Sequence, residues 1–199
     1  MVLLVTQGVL PLNPDGNVGQ TAHQAFNTCI SFMVNCNLQH YSGESGLTYF
    51  TQLFVIMLFQ FYYCRYRYGC HGRYNESAGC KDYSDYWQFL ELFGIKLYPC
   101  PVASFIGRGF ILIVQGTPMG FDGKMKVTTM EGATQYVSQG PTAAIVPIKQ
   151  LGTNGGGYFG VNSSHPLENP TYFANMVECW SILIIPMAMA FCIRFLSET

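Results

Sequence analysis

Apolar residues are gathered into three uncharged runs along the chain, and long polar stretches separate these runs. The runs cover residues 49–61, 110–114 and 179–193. A helix that crosses a bilayer needs about 20 apolar residues, so each run is shorter than one complete crossing. The pattern predicts helices of a membrane protein, and the shortness of the runs needs a separate explanation.

The same order of elements occurs twice. In the first half, a short helix predicted over residues 22–34 ends at a polar, turn-rich stretch, and an apolar helix follows from about Leu47. In the second half, a short helix over residues 143–151, interrupted by Pro147, ends at a glycine-rich stretch, and an apolar helix follows from about Phe173. Internal repeats of this kind are common in membrane transport proteins, so we interpret the chain as two copies of one unit.

The composition supports a membrane protein and argues against several other classes. Hydrophobic residues make up 49% of the 199 residues and charged residues 11%, whereas about 25% is usual for charged residues in globular chains. The net charge of −1 gives no basic surface for nucleic acid. No histidine lies in a motif with a carboxylate and a nucleophile, so we predict a non-catalytic protein without an organic cofactor.

The two polar stretches contain residues that suit an ion path. Irregular backbone is tolerated at membrane depth only inside protein or against a water-filled cavity. Glycine accepts backbone angles that other residues avoid, and rings of backbone carbonyls can replace the hydration shell of a potassium ion. We therefore predict two ion-pathway segments, the first loop (Asn35–Gln39) and the second loop (Thr153–Gly157). The predicted ion-pathway residues are Asn35, Cys36, Asn37, Gln39, Thr153, Asn154, Gly155, Gly156, Gly157 and Asn162.

Simpler interpretations of these loops remain open. A glycine-rich segment before a helix can cradle phosphate, but that pattern needs Gly-Lys-Ser/Thr after the loop, and here Tyr158 and Phe159 follow. The glycine run could also be a flexible turn. Asn35 and Asn37 could cap helices, which is the usual role of such residues at helix ends.

Several longer motifs resemble the KdpA family of potassium-transporting ATPase subunits. The most specific is the pair formed by residues 151–159 and 162–171. The further motifs are Asn27-Thr28, residues 35–45 and Gln115-Gly116-Thr117-Pro118. The resemblance covers residues 7–61 and 107–189. The first loop departs from the commoner family form at Cys36 and Leu38, where Thr and Trp are frequent.

The resemblance implies a fold and a function. It implies an all-α multi-pass protein of the bacterial inner (plasma) membrane, with two incomplete membrane–pore-loop–membrane repeats of a potassium-channel-like fold. It further implies that the chain selects and translocates potassium, held at the two loops, in an ATP-driven uptake pump. The implied partners are the lipid bilayer, a KdpB-like P-type ATPase subunit that hydrolyses ATP, and small KdpC-like and KdpF-like subunits. Four loops close such a pathway, so a chain with two is expected to be inactive alone.

Residues 62–106 differ in character from their surroundings, because tyrosine, cysteine and charge are concentrated there. One interpretation is a zinc site on Cys64, Cys70, His71 and Cys80, but the spacing fits no usual ligand pattern, so no zinc site is predicted. A second is an inserted soluble loop. The third is a shifted reading frame, because codons read from their second base permit a sequence that extends the apolar run 49–61 with small, apolar residues.

We favour the shifted frame for 62–106, from a decayed gene or from sequencing errors, and the tail 190–199 permits a similar reading. We expect such a segment to be irregular or poorly packed, because it was never selected to fold. The predicted organisation is a first pore-loop repeat over 1–61, truncated at its start, the out-of-frame segment 62–106, and a second repeat over 107–199, truncated at its end. The alternative functions are a small membrane interaction protein derived from KdpA and a soluble phosphate-binding protein.

Overall fold

The computed structural model describes residues 1–62, 101–160 and 162–197. Most of the predicted out-of-frame segment lies outside the described residues, as do the four candidate zinc ligands. The last residues of that segment are described, and they belong to a regular helix, α5 (Pro101–Val114). Residues 101–106 are thus helical and not irregular, and the prediction that the segment is out of frame stays a prediction.

The first half begins with short helices that pack beneath a longer one. Helix α1 (Val2–Val5) and the 3₁₀ turn Gln7–Val9 precede helix α2 (Ala22–Met33). Thr21 caps α2, since its hydroxyl accepts a hydrogen bond from the Gln24 N–H at 3.4 Å. Ala25, Thr28 and Phe32 of α2 are buried. Phe26, Ile30 and Met33 of the same helix are exposed.

The apolar run after the first loop is helical with a wider turn inside it. The short helix α3 (Gly43–Gly46) leads to α4 (Tyr49–Thr51), which continues into the π-helical segment Gln52–Ile56 and then into α-helix over 57–62. A reciprocal pair of hydrogen bonds between Thr48 and Thr51 forms a capping box at its start. The helix thus starts two residues after the predicted position.

A β-hairpin in the second half corrects the all-α prediction. Strands β1 (Lys124–Thr128) and β2 (Thr134–Ser138) pair antiparallel, with Lys124 opposite Ser138 and Thr128 opposite Thr134. Most of their side chains are exposed, so neither strand has the buried apolar face that marks a strand in a sequence. The hairpin is tied to the first half because the Lys124 N–H donates to Asp15 Oδ1 at 2.8 Å.

Helix α6 (Thr142–Leu151) lies between α5 and the long helix α7 (Tyr172–Ser197). Pro147 lies inside α6 and has no N–H to donate to the Ala143 carbonyl one turn earlier. Gly109 of α5 packs against that carbonyl, and a Cβ at Gly109 would lie 3.2 Å from it. Within 1–62, 101–160 and 162–197, no helix has both the length and the hydropathy that a membrane crossing requires.

One core cluster joins the two halves of the chain. Tyr49 of α4 packs with Ile145 of α6 and with Tyr158 and Phe159, which follow the second loop. The Tyr158 hydroxyl also shares a 3.1 Å hydrogen bond with the Ser138 hydroxyl at the end of β2. This cluster fixes the second loop against the first half of the chain.

Candidate ion pathway

Both loops leave their helices in the same way. At the end of α2, the Cys36 N–H donates to the Ser31 carbonyl at 2.9 Å, five residues back. At the end of α6, the Asn154 N–H donates to the Lys149 carbonyl at 3.0 Å, also five residues back. These bonds are one residue wider than the α-helical pattern, so each short helix ends in the same widened turn.

The backbone of the two loops also shares a pattern of left-handed residues. In the first loop, φ is +58° at Asn35 and +50° at Asn37. In the second loop, φ is +53° at Thr153 and +95° at Gly155. The matching positions are separated by the same interval as Gln39 and Gly157, 118 residues. Left-handed angles are costly for residues other than glycine, so their occurrence at equivalent places indicates a shared requirement on the backbone.

The two loops contact each other directly. The Gly157 N–H donates to Gln39 Oε1 at 2.9 Å. A Cβ at Gly156 would lie 2.9 Å from the Cβ of Asn37 and 3.0 Å from its carbonyl oxygen, so only glycine fits there. Next to this contact, Gln52 Nε2 donates to the Tyr158 carbonyl at 3.3 Å. The structure therefore brings Asn37, Gln39, Gly156 and Gly157 together.

Several buried amides of the loops have oxygens without a protein donor. Asn37 and Asn154 are 4% and 3% exposed, and both polar atoms of each side chain have no hydrogen-bond partner within the part of the chain that the structure describes. Among the described residues, Asn35 Oδ1 has no hydrogen-bond donor and Gln39 Nε2 has no acceptor. Buried polar atoms without partners cost free energy, and neutral oxygens are suitable ligands for an alkali cation. The unpaired oxygens of Asn35, Asn37 and Asn154 are thus of the chemical type that an alkali cation can use as ligands.

Two of the predicted residues lie apart from this contact. The Cys36 side chain is exposed with a free thiol, and Asn162 is exposed in the turn that follows the second loop. Gly155 has open space around its Cα, since a Cβ there would meet nothing within 4 Å. The structure thus separates the ten predicted residues into a central contact and a periphery.

The first loop continues into a partly buried tyrosine, Tyr41. Burial raises the pKa of Tyr41 to about 12, so its phenol is neutral at physiological pH. Its carbonyl oxygen lies close to the end of the second loop, because a Cβ at Gly160 would be 2.9 Å away from it. The contact between the loops therefore extends beyond the residues that the sequence indicated.

A buried ion pair beside the second loop was missed by the sequence reasoning. Lys149 of α6 pairs with Glu168, and both side chains are fully buried. Next to them, Gln150 donates to the buried Glu178 of α7. Charged residues inside apolar helices are rare and functional in membrane proteins, and Lys149 and Glu178 each lie in an apolar helix. That signal could have pointed to the cluster, although the sequence could not say which charges pair.

The phosphate-loop interpretation does not agree with the geometry. A phosphate loop is followed at once by the N-terminus of a helix. Here the Gly157 N–H is bound to Gln39, Tyr158 and Phe159 are buried, and the next helix begins at Tyr172. Among the described residues, no group of three or more His, Cys, Asp or Glu side chains could hold a metal ion.

Comparison with known proteins identifies similar sequences along nearly the whole chain. Residues 1–198 match the family described as KdpA, potassium-transporting ATPase A subunit. The chain is 76% identical over 198 residues to the potassium-transporting ATPase potassium-binding subunit of Phocaeicola vulgatus and 68% identical to that of Bacteroides thetaiotaomicron. It is 47% identical over 201 residues to that of Flavobacterium johnsoniae.

These matches cover 97–98% of this chain and 34% of each of these relatives. The chain therefore spans about a third of the length of the curated relatives it matches. The matched span is wider than the predicted one, because it also includes residues 1–6, 62–106 and 190–198. The percentage identity is an average over the whole span, so the shifted frame stays a prediction.

Proposed function

Because the chain belongs to the KdpA family of potassium-transporting ATPase A subunits, as its motifs predicted, we propose that it supplies two pore loops of a potassium-selecting pathway. The pathway is that of an ATP-driven potassium uptake pump. In this proposal the chain binds and passes potassium, and a partner subunit hydrolyses ATP. The potassium assignment rests on the names of the family and of its relatives, and the loop assignment rests on geometry.

The observation that carries the proposal is the shared backbone pattern of the two loops. Left-handed angles at Asn35 and Asn37, and at Thr153 and Gly155, take the backbone out of the right-handed helical conformation at every second residue. In the proposal, carbonyl oxygens of this non-helical backbone replace the water around potassium, as carbonyl rings do in the filters of potassium channels. Buried amide oxygens of Asn37 and Asn154 add further neutral ligands near the same path.

Two loops form half of such a pathway. In the proposal, each belongs to one membrane–pore-loop–membrane repeat, and two further loops come from the rest of a full-length family member. The 199-residue chain alone is then expected to transport nothing. Its expected setting is the bacterial plasma membrane, as a multi-pass protein with a KdpB-like P-type ATPase subunit and small KdpC-like and KdpF-like subunits.

A chimera tests whether these loops select potassium. In the full-length relative from Phocaeicola vulgatus, residues 1–61 and 107–189 of this chain replace the matching segments, and the relative keeps its own residues elsewhere. The chimera is produced with the partner subunits in a strain without other potassium uptake systems. We expect uptake of radioactive rubidium that potassium inhibits and sodium does not.

A glycine pair links the result to the site. Gly156→Ala places a Cβ 2.9 Å from the Asn37 Cβ, so we expect the loops to separate and the KM for potassium to rise at least about tenfold, equivalent to about 1.4 kcal/mol. Gly107→Ala in α5 is the control, because its Cβ would meet nothing within 4 Å. An assembled chimera that takes up no rubidium, while the relative does, would refute the proposal.

A further inference from the structure

We propose that the Lys149–Glu168 ion pair is a positioning pair that sets the ion preference of the second loop. The pair lies behind the loop and clamps the backbone on both sides of it. This inference rests on the proposed function, since ion preference has meaning only if the loops carry ions. It concerns two residues outside the predicted ion pathway.

Glu168 collects hydrogen bonds from both sides of the second loop. Its carboxylate pairs with Lys149 Nζ from the helix that precedes the loop. The same carboxylate accepts the Phe159 N–H at 3.1 Å and the Ser163 N–H at 3.0 Å, both from backbone that follows the loop. One buried side chain therefore fixes the distance between the entry and the exit of the loop.

The loop backbone rests directly on the pair. A Cβ at Gly157 would lie 2.5 Å from Glu168 Oε1 and 2.7 Å from Lys149 Nζ. The Gly157 N–H also binds Gln39 of the first loop. The pair thus supports the residue through which the two loops contact each other, so a shift of the pair moves the second loop relative to the first.

The main chain of Lys149 is also hydrogen-bonded to the second loop. Its carbonyl accepts the Asn154 N–H at 3.0 Å and closes the widened turn that starts the loop. On the other side, the Glu168 carbonyl accepts a hydrogen bond from the Thr117 hydroxyl at 3.4 Å, which anchors the pair to the end of α5. The clamp is therefore held by two neighbouring elements and not by its own charges alone.

The charges have a second consequence for a cation path. Removing the charge of one partner leaves the other charge buried and uncompensated. With Glu168 neutral, Lys149 becomes a buried positive charge beside the loop and repels potassium. When both residues are neutral, this repulsion disappears. The remaining effect is the loss of the contact between residues 149 and 168 that holds the second loop in place.

The test uses the chimera in its complete complex and two variants. We expect Glu168→Gln to lower the melting temperature and to raise the KM for potassium at least about tenfold, the size of effect expected for a lost charged hydrogen bond. In Lys149→Met/Glu168→Gln neither residue of the pair carries a charge, the neighbouring Glu178 is unchanged, and the glutamine oxygen can still accept the Phe159 N–H. We expect the melting temperature to return close to that of the parent, while the preference for potassium over sodium stays about tenfold lower.

The outcomes are distinguishable. If the double variant recovers both the melting temperature and the preference for potassium, the pair is only structural and the inference is wrong. If the parent chimera takes up no rubidium, the proposed function fails first. If the double variant does not assemble, Gly157→Ala replaces it, because the new Cβ displaces the loop from the pair without changing a charge. An unchanged ion preference in an assembled Gly157→Ala complex would then overturn the inference.

Discussion

Asn35, Asn37 and Thr153 hold left-handed backbone without being glycine. Such conformations cost about 1–2 kcal/mol each and persist where the surrounding structure fixes them, which is often at functional sites. Asparagine tolerates this region better than most residues, whereas a β-branched residue such as threonine is an outlier there. The strain at Thr153 is therefore the sharpest sign at the residue scale that the second loop has a required shape.

Thr153→Asn places at the second loop the residue that the first loop has at the equivalent position. We expect a gain of up to about 1 kcal/mol in the free energy of unfolding, because asparagine accepts the left-handed angle more readily. Potassium uptake should be retained. Thr153→Val is the matched control, since it keeps the β-branch and loses the hydroxyl that donates to the Gly152 carbonyl. Thermal unfolding of both chimeras measures this, and a lower melting temperature for Thr153→Asn than for Thr153→Val would contradict it.

Tyr41 is expected to make the free energy of unfolding depend on pH in the alkaline range. Its pKa is raised to about 12 by burial, whereas the unfolded phenol ionises near 10. The stabilisation is complete below pH 10 and is lost as the pH rises through 12, because the unfolded state releases its proton first. We expect Tyr41→Phe to remove up to about 2 kcal/mol of the alkaline loss of stability, measured by unfolding at pH 9 and at pH 11.5. An equal loss in parent and variant would show that Tyr41 ionises as freely when folded as when unfolded.

At the scale of elements, the helices were predictable and the hairpin was not. The pattern of apolar residues placed α2 within one residue of its observed bounds, and the glycine run placed the end of α6. The strands 124–128 and 134–138 carry mostly exposed side chains, so they lack a buried face to predict them from. The pairing of Lys149 with Glu168 depends on how α6 packs near the turn before α7, and no local pattern encodes that packing.

The base of the β-hairpin is expected to contribute to stability, and its tip is not. Residues 129–133 are mostly exposed, so replacing them with Asn-Gly, a pair that favours a tight hairpin turn, should leave uptake and stability unchanged. Ser138→Ala at the base removes the 3.1 Å hydrogen bond to the buried Tyr158 hydroxyl, and we expect a loss of about 1–3 kcal/mol. Thermal unfolding compares the two changes. A larger loss from the tip replacement would mean that the hairpin packs through its turn.

At the scale of the whole molecule, the two halves of the chain contact each other through their loops. The order of helix, loop and helix could be read from the sequence twice. The sequence did not show that the two halves contact each other. Tyr49 packs against Tyr158, and Gln39 accepts a hydrogen bond from the Gly157 N–H. Gln39 and Gly157 are 118 residues apart, and contacts between such distant residues arise from tertiary packing, which local composition does not determine. The match to the family model shows the family, and the repeat organisation stays a prediction.

The shifted frame predicts opposite results for two chimeras of the full-length relative. If the codons for 62–106 are out of frame, a chimera that carries residues 1–198 of this chain should show no potassium uptake, because a membrane segment is replaced by residues never selected to fold. A chimera that carries only 1–61 and 107–189 should transport. The nucleotide sequence across codons 58–110 provides the independent check, and we expect one base gained or lost near codon 62 and a compensating change near codon 107. Equal uptake by the two chimeras, with one continuous frame in the DNA, would instead make 62–106 a true insertion that the pump tolerates.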